Sequence, residues 1–229
     1  GNGKTFTVQA RELAGLFLLH ERIVHTAHTL AAARHHMLDM IAAIESSTDL
    51  MHHVAHISKA RGREGIMMRS GASIQYRARG VCALDAAIDA DLLVLDAAFD
   101  LDATWTRTAI HGTPLRRPRS TRRQTWYLGH AVDKQNSYRG TTFAQVRARG
   151  LTGADPDLCW IEYSANDSRD ADGNLLIDPL DPAQIAQANP SPRIDTTGIA
   201  ARLDVLHRRA YEAERLGIGY WPTTDMASA

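Results

Sequence analysis

The sequence predicts a three-layer α/β fold, because short apolar segments alternate along the chain with segments of helical periodicity. The clearest apolar segment is ADLLVLD, whose continuous hydrophobic run is typical of a central parallel strand covered on both faces. With 229 residues, of which 44% are hydrophobic and 23% charged, the chain is long enough to bury a core. We therefore expect a mostly parallel central sheet.

The first third of the chain predicts four elements. Hydrophobic periodicity after Thr5 indicates a helix to about residue 20, with Arg11 and Glu12 on its solvent-facing side. RIVHTA (22–27) is a candidate buried strand, and the Ala- and Leu-rich segment HTLAAARHHMLDMIAAIESS is a candidate helix. Residues 64–80, EGIMMRSGASIQYRARG, consist of two strand-like runs around Ser-Gly-Ala and predict a hairpin.

The remaining elements follow the strand ADLLVLD. QTWYLGHAVD indicates a strand, and TTFAQVRARGL indicates a helix that Gly150 closes. LCWIEYSAN (158–166) predicts a further strand, and PAQIAQANP predicts a short helix stopped by Pro190. A last helix is expected from Thr197 to about Leu216, with Gly217 as its stop. We divide the chain into a core of residues 1–155 and a small C-terminal subdomain of residues 156–229.

Composition limits the function classes. The formal net charge is zero, so contacts with nucleic acid must come from local patches. Such a patch is the stretch 107–123, which has six arginines and no acidic residue, although a solvated loop explains it equally well. Two cysteines suit a reducing cytosol, and no apolar run approaches the roughly 20 residues of a membrane span. We expect a soluble intracellular protein.

The chain begins with GNGKT, the second half of the phosphate-loop pattern GxxxxGK[ST]. In this interpretation Gly1, Asn2 and Gly3 form the loop, whose backbone N–H groups hold phosphates at the start of a helix. Lys4 reaches the β- and γ-phosphates, and Thr5 binds Mg²⁺. The alternative is a chance match at a terminus, and the buried strand that normally precedes such a loop is expected upstream of Gly1.

A second motif favours the phosphate loop. Asp96 ends LLVLD about ninety residues after Lys4, as expected of an aspartate that orients the metal on a neighbouring strand. Many such enzymes place a water-polarising glutamate next, but this chain has Ala97, whose methyl group cannot orient a proton. Asp100 and Asp102 lie nearby in the wrong register. The two motifs together predict a nucleoside triphosphatase that binds ATP and Mg²⁺ and hydrolyses ATP slowly.

With these motifs, most of the chain resembles the ATPase domain of the large terminase subunit of tailed bacteriophages, the DNA-packaging motor. GNGKT is similar to the end of that family's phosphate loop, and ADLLVLDAAFDLDA to its Walker B segment. IVHTAHTLAAARHHMLDM resembles the next strand and helix. CWIEYSAN, IAQANPSPRI and RRAYEAERLGIGYWP resemble its lid and the connection to its nuclease domain. The resemblance implies a P-loop NTPase fold of the ASCE type with a C-terminal lid.

The resemblance also implies partners and further site residues. Double-stranded DNA, the portal protein and the small terminase subunit are the implied partners of a homo-oligomeric ring, which acts on the procapsid in the host cytoplasm without a membrane. An arginine finger from a neighbouring subunit is assigned to Arg79 first and Arg77 second; solvated hairpin arginines are the alternative. His130 is the polar side chain at the position of the family's coupling motif, and Ala97 occupies the position of the family's catalytic glutamate. No nuclease activity is expected, since no acidic cluster follows Trp221 and Pro222.

Two other functions stay open. A helicase-like P-loop ATPase shares the two nucleotide motifs, and a non-catalytic module with a degenerate site could bind nucleotide or DNA as an assembly subunit. The histidines His52, His53 and His56 include an i, i+4 pair, but they have no Cys or acid at ligand spacing, which disfavours zinc.

Overall fold

The computed structural model describes residues 3–79, 89–111, 123–133, 139–204 and 206–222. Its helices are α1 (Lys4–Phe17), α2 (Leu30–Glu45), α3 (Thr48–His52), α4 (Ala103–His111), α5 (Thr141–Thr152), α6 (Pro182–Ala188), α7 (Thr196–Ala200) and α8 (Arg208–Arg215), with 3₁₀ turns at Ala98–Asp100 and Ala201–Asp204. Its strands are β1 (Arg22–Ala27), β2 (Val54–Ser58), β3 (Gly65–Met68), β4 (Ser73–Ala78), β5 (Leu92–Leu95) and β6 (Gln124–Tyr127).

The six strands form one sheet in the order β2-β3-β4-β1-β5-β6. Strand β1 pairs in parallel with β4 and β5, and β5 pairs in parallel with β6, whereas β3 pairs antiparallel with β2 and β4. The α/β class is thus confirmed, and the sheet is mixed, with three parallel and two antiparallel pairings. The antiparallel pairings come from the hairpin β3–β4, which the sequence predicts, and from β2, which it does not.

The chain forms two compact units. The first unit consists of Lys4–Ala98 and Thr104–Leu128 and holds the whole sheet; the second consists of Gly1–Gly3, Phe99–Ala103 and Gly129–Ala229. Two features stay predictions. One is the division into an ATPase core and a lid with the boundary at residue 155, and the other is the three-layer P-loop arrangement.

The core of the first unit lies where α1 and α2 pack on β1 and β4. Helix α1 buries Val8, Glu12, Gly15 and Leu16. The sequence predicts Glu12 on the solvent-facing side of α1, and this prediction is wrong, because Glu12 is fully buried. It lies four residues from both Val8 and Leu16, so helical geometry places its side chain on the same face as these two.

The second unit has a smaller core of its own, built from α6, α7 and α8. Its most buried side chains are Ala165, Ile185, Ala188, Tyr211, Leu216 and Ile218. The strand predicted at 158–166 is wrong: these residues belong to no strand, and Ile161 is 73% exposed. The apolar alternation has another origin, since Trp160 packs on Phe143 of α5 and its indole nitrogen donates to Glu162.

The helix predicted from Thr197 to Leu216 is also corrected. The structure has α7, a 3₁₀ turn and then α8, which begins after its N-cap His207. Ile199, Leu203 and Leu206 pack against the core of the second unit. The predicted stop is confirmed, because α8 ends two residues before Gly217, whose φ is +67°. Helix α5 runs past Gly150 to Thr152 and is closed by Gly153 instead.

We expect Gly217→Ala to lower the free energy of unfolding by about 3 kcal/mol, the sum of left-handed strain and overpacking. A Cβ atom at this position would lie 2.6 Å from the carbonyl oxygen of Tyr163. Gly153→Ala is the matched control, because φ there is +62° but no atom lies within 4 Å of the added Cβ. It should cost only about 1 to 2 kcal/mol. Urea denaturation followed by tryptophan fluorescence measures both, and equal losses would contradict the steric argument.

Candidate functional site

The candidate site lies at the carboxyl edge of the parallel strands. Strands β4, β1, β5 and β6 run in the same direction, so their carboxyl ends meet at one edge of the sheet. Strand β5 is buried at all four positions and delivers Asp96 to this edge. The backbone N–H of Asp96 donates to the carbonyl oxygen of Thr26 at 2.9 Å, which fixes the end of β5 against the end of β1. Ligands of open α/β sheets bind at this edge.

Lys4 and Thr5 occupy the first turn of α1, directly after Gly3, whose φ of +77° suits glycine. Partial burial lowers the pKa of Lys4, and the opposing influence that raises it is the negative charge of Asp96. Gly1 and Asn2 lie outside the described residues.

The turn after β5 is built around Asp96 and Ala97. Asp96 is half-buried, and its Oδ1 accepts the backbone N–H of Ala97 at 2.9 Å. Ala97 is 8% exposed and has a φ of +55°, a left-handed conformation that costs an L-residue roughly 1 to 2 kcal/mol. A methyl group thus stands in a strained turn next to the aspartate.

The two hairpin arginines have different environments. Arg79 is 8% exposed, and its guanidinium donates to the carbonyl oxygens of Asp96 and Ala97, the latter at 2.8 Å, and to that of Thr26 at 3.3 Å. It therefore binds the ends of β1 and β5 within its own chain. Arg77 is exposed on β4 and donates to the side chain of Gln75.

His130 belongs to the second unit. Its ring stacks on Phe99 with centroids 3.8 Å apart, and its Nδ1 lies 2.8 Å from the carbonyl oxygen of Ala131. A coupling role for His130 stays a prediction. Of the basic stretch, residues 112–122 lie outside the described part, and Arg123 donates through Nε to the carbonyl oxygen of Ala90 at 3.0 Å.

The sequence does not predict a buried cluster of Glu12, His25 and His36. His25 Nδ1 lies 2.7 Å from Glu12 Oε1, and His36 Nε2 lies 2.7 Å from Glu12 Oε2. Burial tends to raise the pKa of Glu12, but hydrogen bonds from both imidazoles outweigh it and the pKa is lowered. Burial tends to lower the pKa of His36, but the hydrogen bond to Glu12 and nearby carboxylates raise it.

One signal in the sequence indicates this cluster. The spacing of Glu12 from Val8 and Leu16 places a carboxylate on an apolar helix face, and a buried carboxylate requires a partner. The histidines that the sequence does single out, His52, His53 and His56, are all exposed. Among the described residues they belong to no group of side chains that could hold a metal ion.

The side chains at the start of α1 and after β5 have the chemistry that a magnesium-bound nucleotide needs. The Thr5 hydroxyl and the Asp96 carboxylate are hard oxygen groups of the kind that Mg²⁺ takes as ligands, and the ammonium group of Lys4 is of the kind that binds phosphate oxygens. The amino end of α1 adds backbone N–H groups and the positive end of its dipole. In the described part of the chain, no helix combines the length and the hydropathy that crossing a bilayer requires.

The fold is similar to that of a solved structure, the crystal structure of the HK97 bacteriophage large terminase. The match has a TM-score of 0.71 and covers 94% of this chain at 14% sequence identity. The chain spans 44% of the length of that protein. No family model matches the sequence, and a search of curated proteins found no match. The resemblance predicted from the sequence motifs is thus confirmed at the level of the fold.

Proposed function

We propose that this chain is an ATP- and Mg²⁺-binding motor domain of a phage DNA-packaging terminase, with hydrolysis slowed by Ala97. The observation that carries the proposal is the placement of Lys4 in the first turn of α1 and of Asp96 directly after β5, at the carboxyl edge of the sheet. A lysine at the start of a helix and an aspartate at the end of a central strand are the cation and the metal-orienting acid of a phosphate site. The terminase-like fold supports the same conclusion.

In this proposal each side chain has one task. Lys4 holds the β- and γ-phosphates, and Thr5 and Asp96 hold Mg²⁺, which neutralises the charge that develops on the phosphates. The backbone N–H of Ala97 donates to Oδ1 of Asp96, and this hydrogen bond within the turn orients the carboxylate. At position 97 the site has no side chain that could accept a proton from water.

We assign the two arginines in the reverse of the order that the sequence favours. Arg79 is a positioning residue, because its guanidinium holds the backbone on both sides of Asp96 within the same chain. Arg77 is exposed and is the arginine that can reach a neighbouring subunit, where such a finger raises the rate by about 10³ to 10⁵-fold. The ring, the DNA, portal and small-subunit partners, the host cytoplasm and the lid at 156–229 all belong to the proposal.

We expect Lys4→Ala to weaken the binding of a fluorescent ATP analogue by at least about 100-fold, because charge-assisted bonds to phosphate are lost. Titration in the presence and absence of Mg²⁺ measures the effect. Lys59→Ala is the matched control, since Lys59 is exposed on the same unit. Equal affinities of the two variants would contradict the assignment of Lys4.

A second candidate is a non-catalytic module that binds nucleotide or DNA as an assembly subunit. The observation that favours it is the buried methyl group of Ala97 in the place of a catalytic acid. Absence of any Mg²⁺-dependent nucleotide binding would favour this candidate. A helicase-like ATPase shares the same nucleotide residues, and the terminase-like fold counts against it.

A further inference from the structure

The cluster of Glu12, His25 and His36 joins three elements of the first unit. Glu12 comes from α1, His25 from β1 and His36 from α2, and none of the three is more than 6% exposed. One carboxylate oxygen and one nitrogen from each ring lie within 4.8 Å of one another. The two imidazole rings are stacked, with centroids 4.3 Å apart and an interplanar angle of 18°. Three metal-ligating groups therefore converge on one buried point.

Hydrogen bonding within the chain does not satisfy this cluster completely. His25 Nε2 and the hydroxyl of Tyr76 are buried, and neither has a hydrogen-bond partner among the described residues. The rings of His25 and Tyr76 are neighbours, with centroids 5.6 Å apart. Unpaired buried polar atoms each cost about 1 to 3 kcal/mol, so this part of the core keeps polar capacity beyond the bonds within the Glu–His–His group.

The donor set has the chemistry of a transition-metal site. Two imidazole nitrogens and one carboxylate oxygen are the ligands that Zn²⁺ takes in many three-residue sites. Among the described residues, the hydrogen-bond partners of Glu12 are the imidazoles of His25 and His36, and a divalent cation would offset the cost of burying its negative charge. We propose that Glu12, His25 through Nδ1 and His36 through Nε2 bind one divalent transition-metal ion, with Zn²⁺ as the best match. His25 coordinates in the tautomer that carries its hydrogen on Nε2.

The location indicates a structural role for the ion. Helix α1 begins with Lys4 and Thr5, and β1 ends at Thr26 and Ala27 beside Asp96. An ion between α1, β1 and α2 fixes the helix that carries the phosphate-binding residues against the strand next to Asp96. The site takes a different ion from the magnesium position at the sheet edge, and it does not depend on the proposed function.

The test is metal binding by the chelator-treated chain in the absence of nucleotide. Titration with Zn²⁺ in competition with a chromophoric chelator should give about one tight site per chain. Co²⁺ should give visible absorption that the metal-free chain lacks, and Zn²⁺ should abolish it by displacing Co²⁺. Glu12→Gln and His36→Asn should each weaken binding by at least about 10-fold, because substitution of a residue that only hydrogen-bonds to a metal ligand already costs that much.

The controls separate this site from surface histidines and from the nucleotide site. His35→Asn removes a histidine beside His36 on α2 whose side chain is 82% exposed, and it should leave the tight site unchanged. Lys4→Ala should also retain it. The wild-type titration does not depend on the folding of any variant. If it shows no tight stoichiometric site, the proposal is overturned. A tight site that persists in Glu12→Gln, or that disappears in His35→Asn, overturns it as well.

Discussion

Replacement of Arg79 by alanine should lower the free energy of unfolding by about 3 kcal/mol, whereas Arg77→Ala should change it by less than about 0.5 kcal/mol. The two arginines lie two residues apart, yet only Arg79 is buried. Its guanidinium donates to three backbone carbonyl oxygens at the ends of β1 and β5. Truncation leaves those carbonyls without that donor, and a hydrogen bond from a charged group contributes about 1.5 to 3 kcal/mol.

Urea denaturation of both variants measures the difference, and Arg79→Lys refines it. A lysine keeps the charge but cannot present the planar fork of donors that spans three carbonyls, so its loss should fall between wild type and Arg79→Ala. Equal stability of Arg77→Ala and Arg79→Ala would contradict the positioning role. If Arg79 instead acted on a neighbouring subunit, its removal would leave the stability of the isolated chain unchanged.

The central elements could be predicted from the sequence because each carries its own local signal. Strand β5 is four consecutive buried aliphatic residues, and α2 is an Ala- and Leu-rich segment whose N-cap Thr29 accepts the N–H of Ala32. The motif Gly-Lys-Thr marks the start of α1, and the turn aspartate marks the end of β5. Such signals depend on residues that are near one another in the chain.

The failures concern contacts that no local pattern contains. Strand alternation on β4 buries Tyr76 and exposes Arg77, and the same period would expose Arg79. The strand ends at Ala78, however, and the chain turns so that Arg79 meets the end of β5. Residues 158–166 alternate like a strand but find no pairing strand. The burial of Arg79 and the absence of a strand at 158–166 depend on which elements lie next to these residues, and not on their own sequence pattern.

Introducing a glutamate at position 97 should raise ATP turnover by about 10² to 10⁴-fold, the usual contribution of a general base. The side chain would follow Asp96 directly at the carboxyl edge, where the proposed Mg²⁺ and phosphates lie. The backbone already adopts φ of +55°, so glutamate adds little backbone strain beyond that of alanine, although its larger side chain has a steric cost at this buried position. Steady-state phosphate release with saturating ATP and Mg²⁺ measures the gain.

Two variants at the same position isolate the carboxylate. Ala97→Gln has the volume of glutamate but cannot accept a proton, so it should show the steric cost without the gain in rate. Ala97→Gly should relieve the left-handed strain, worth roughly 1 kcal/mol, and should also leave turnover low. If Ala97→Glu binds nucleotide and yet gains no activity, position 97 is not the missing catalytic site. If none of the variants binds nucleotide, the failure lies with the phosphate site itself, and the non-catalytic module becomes the better description.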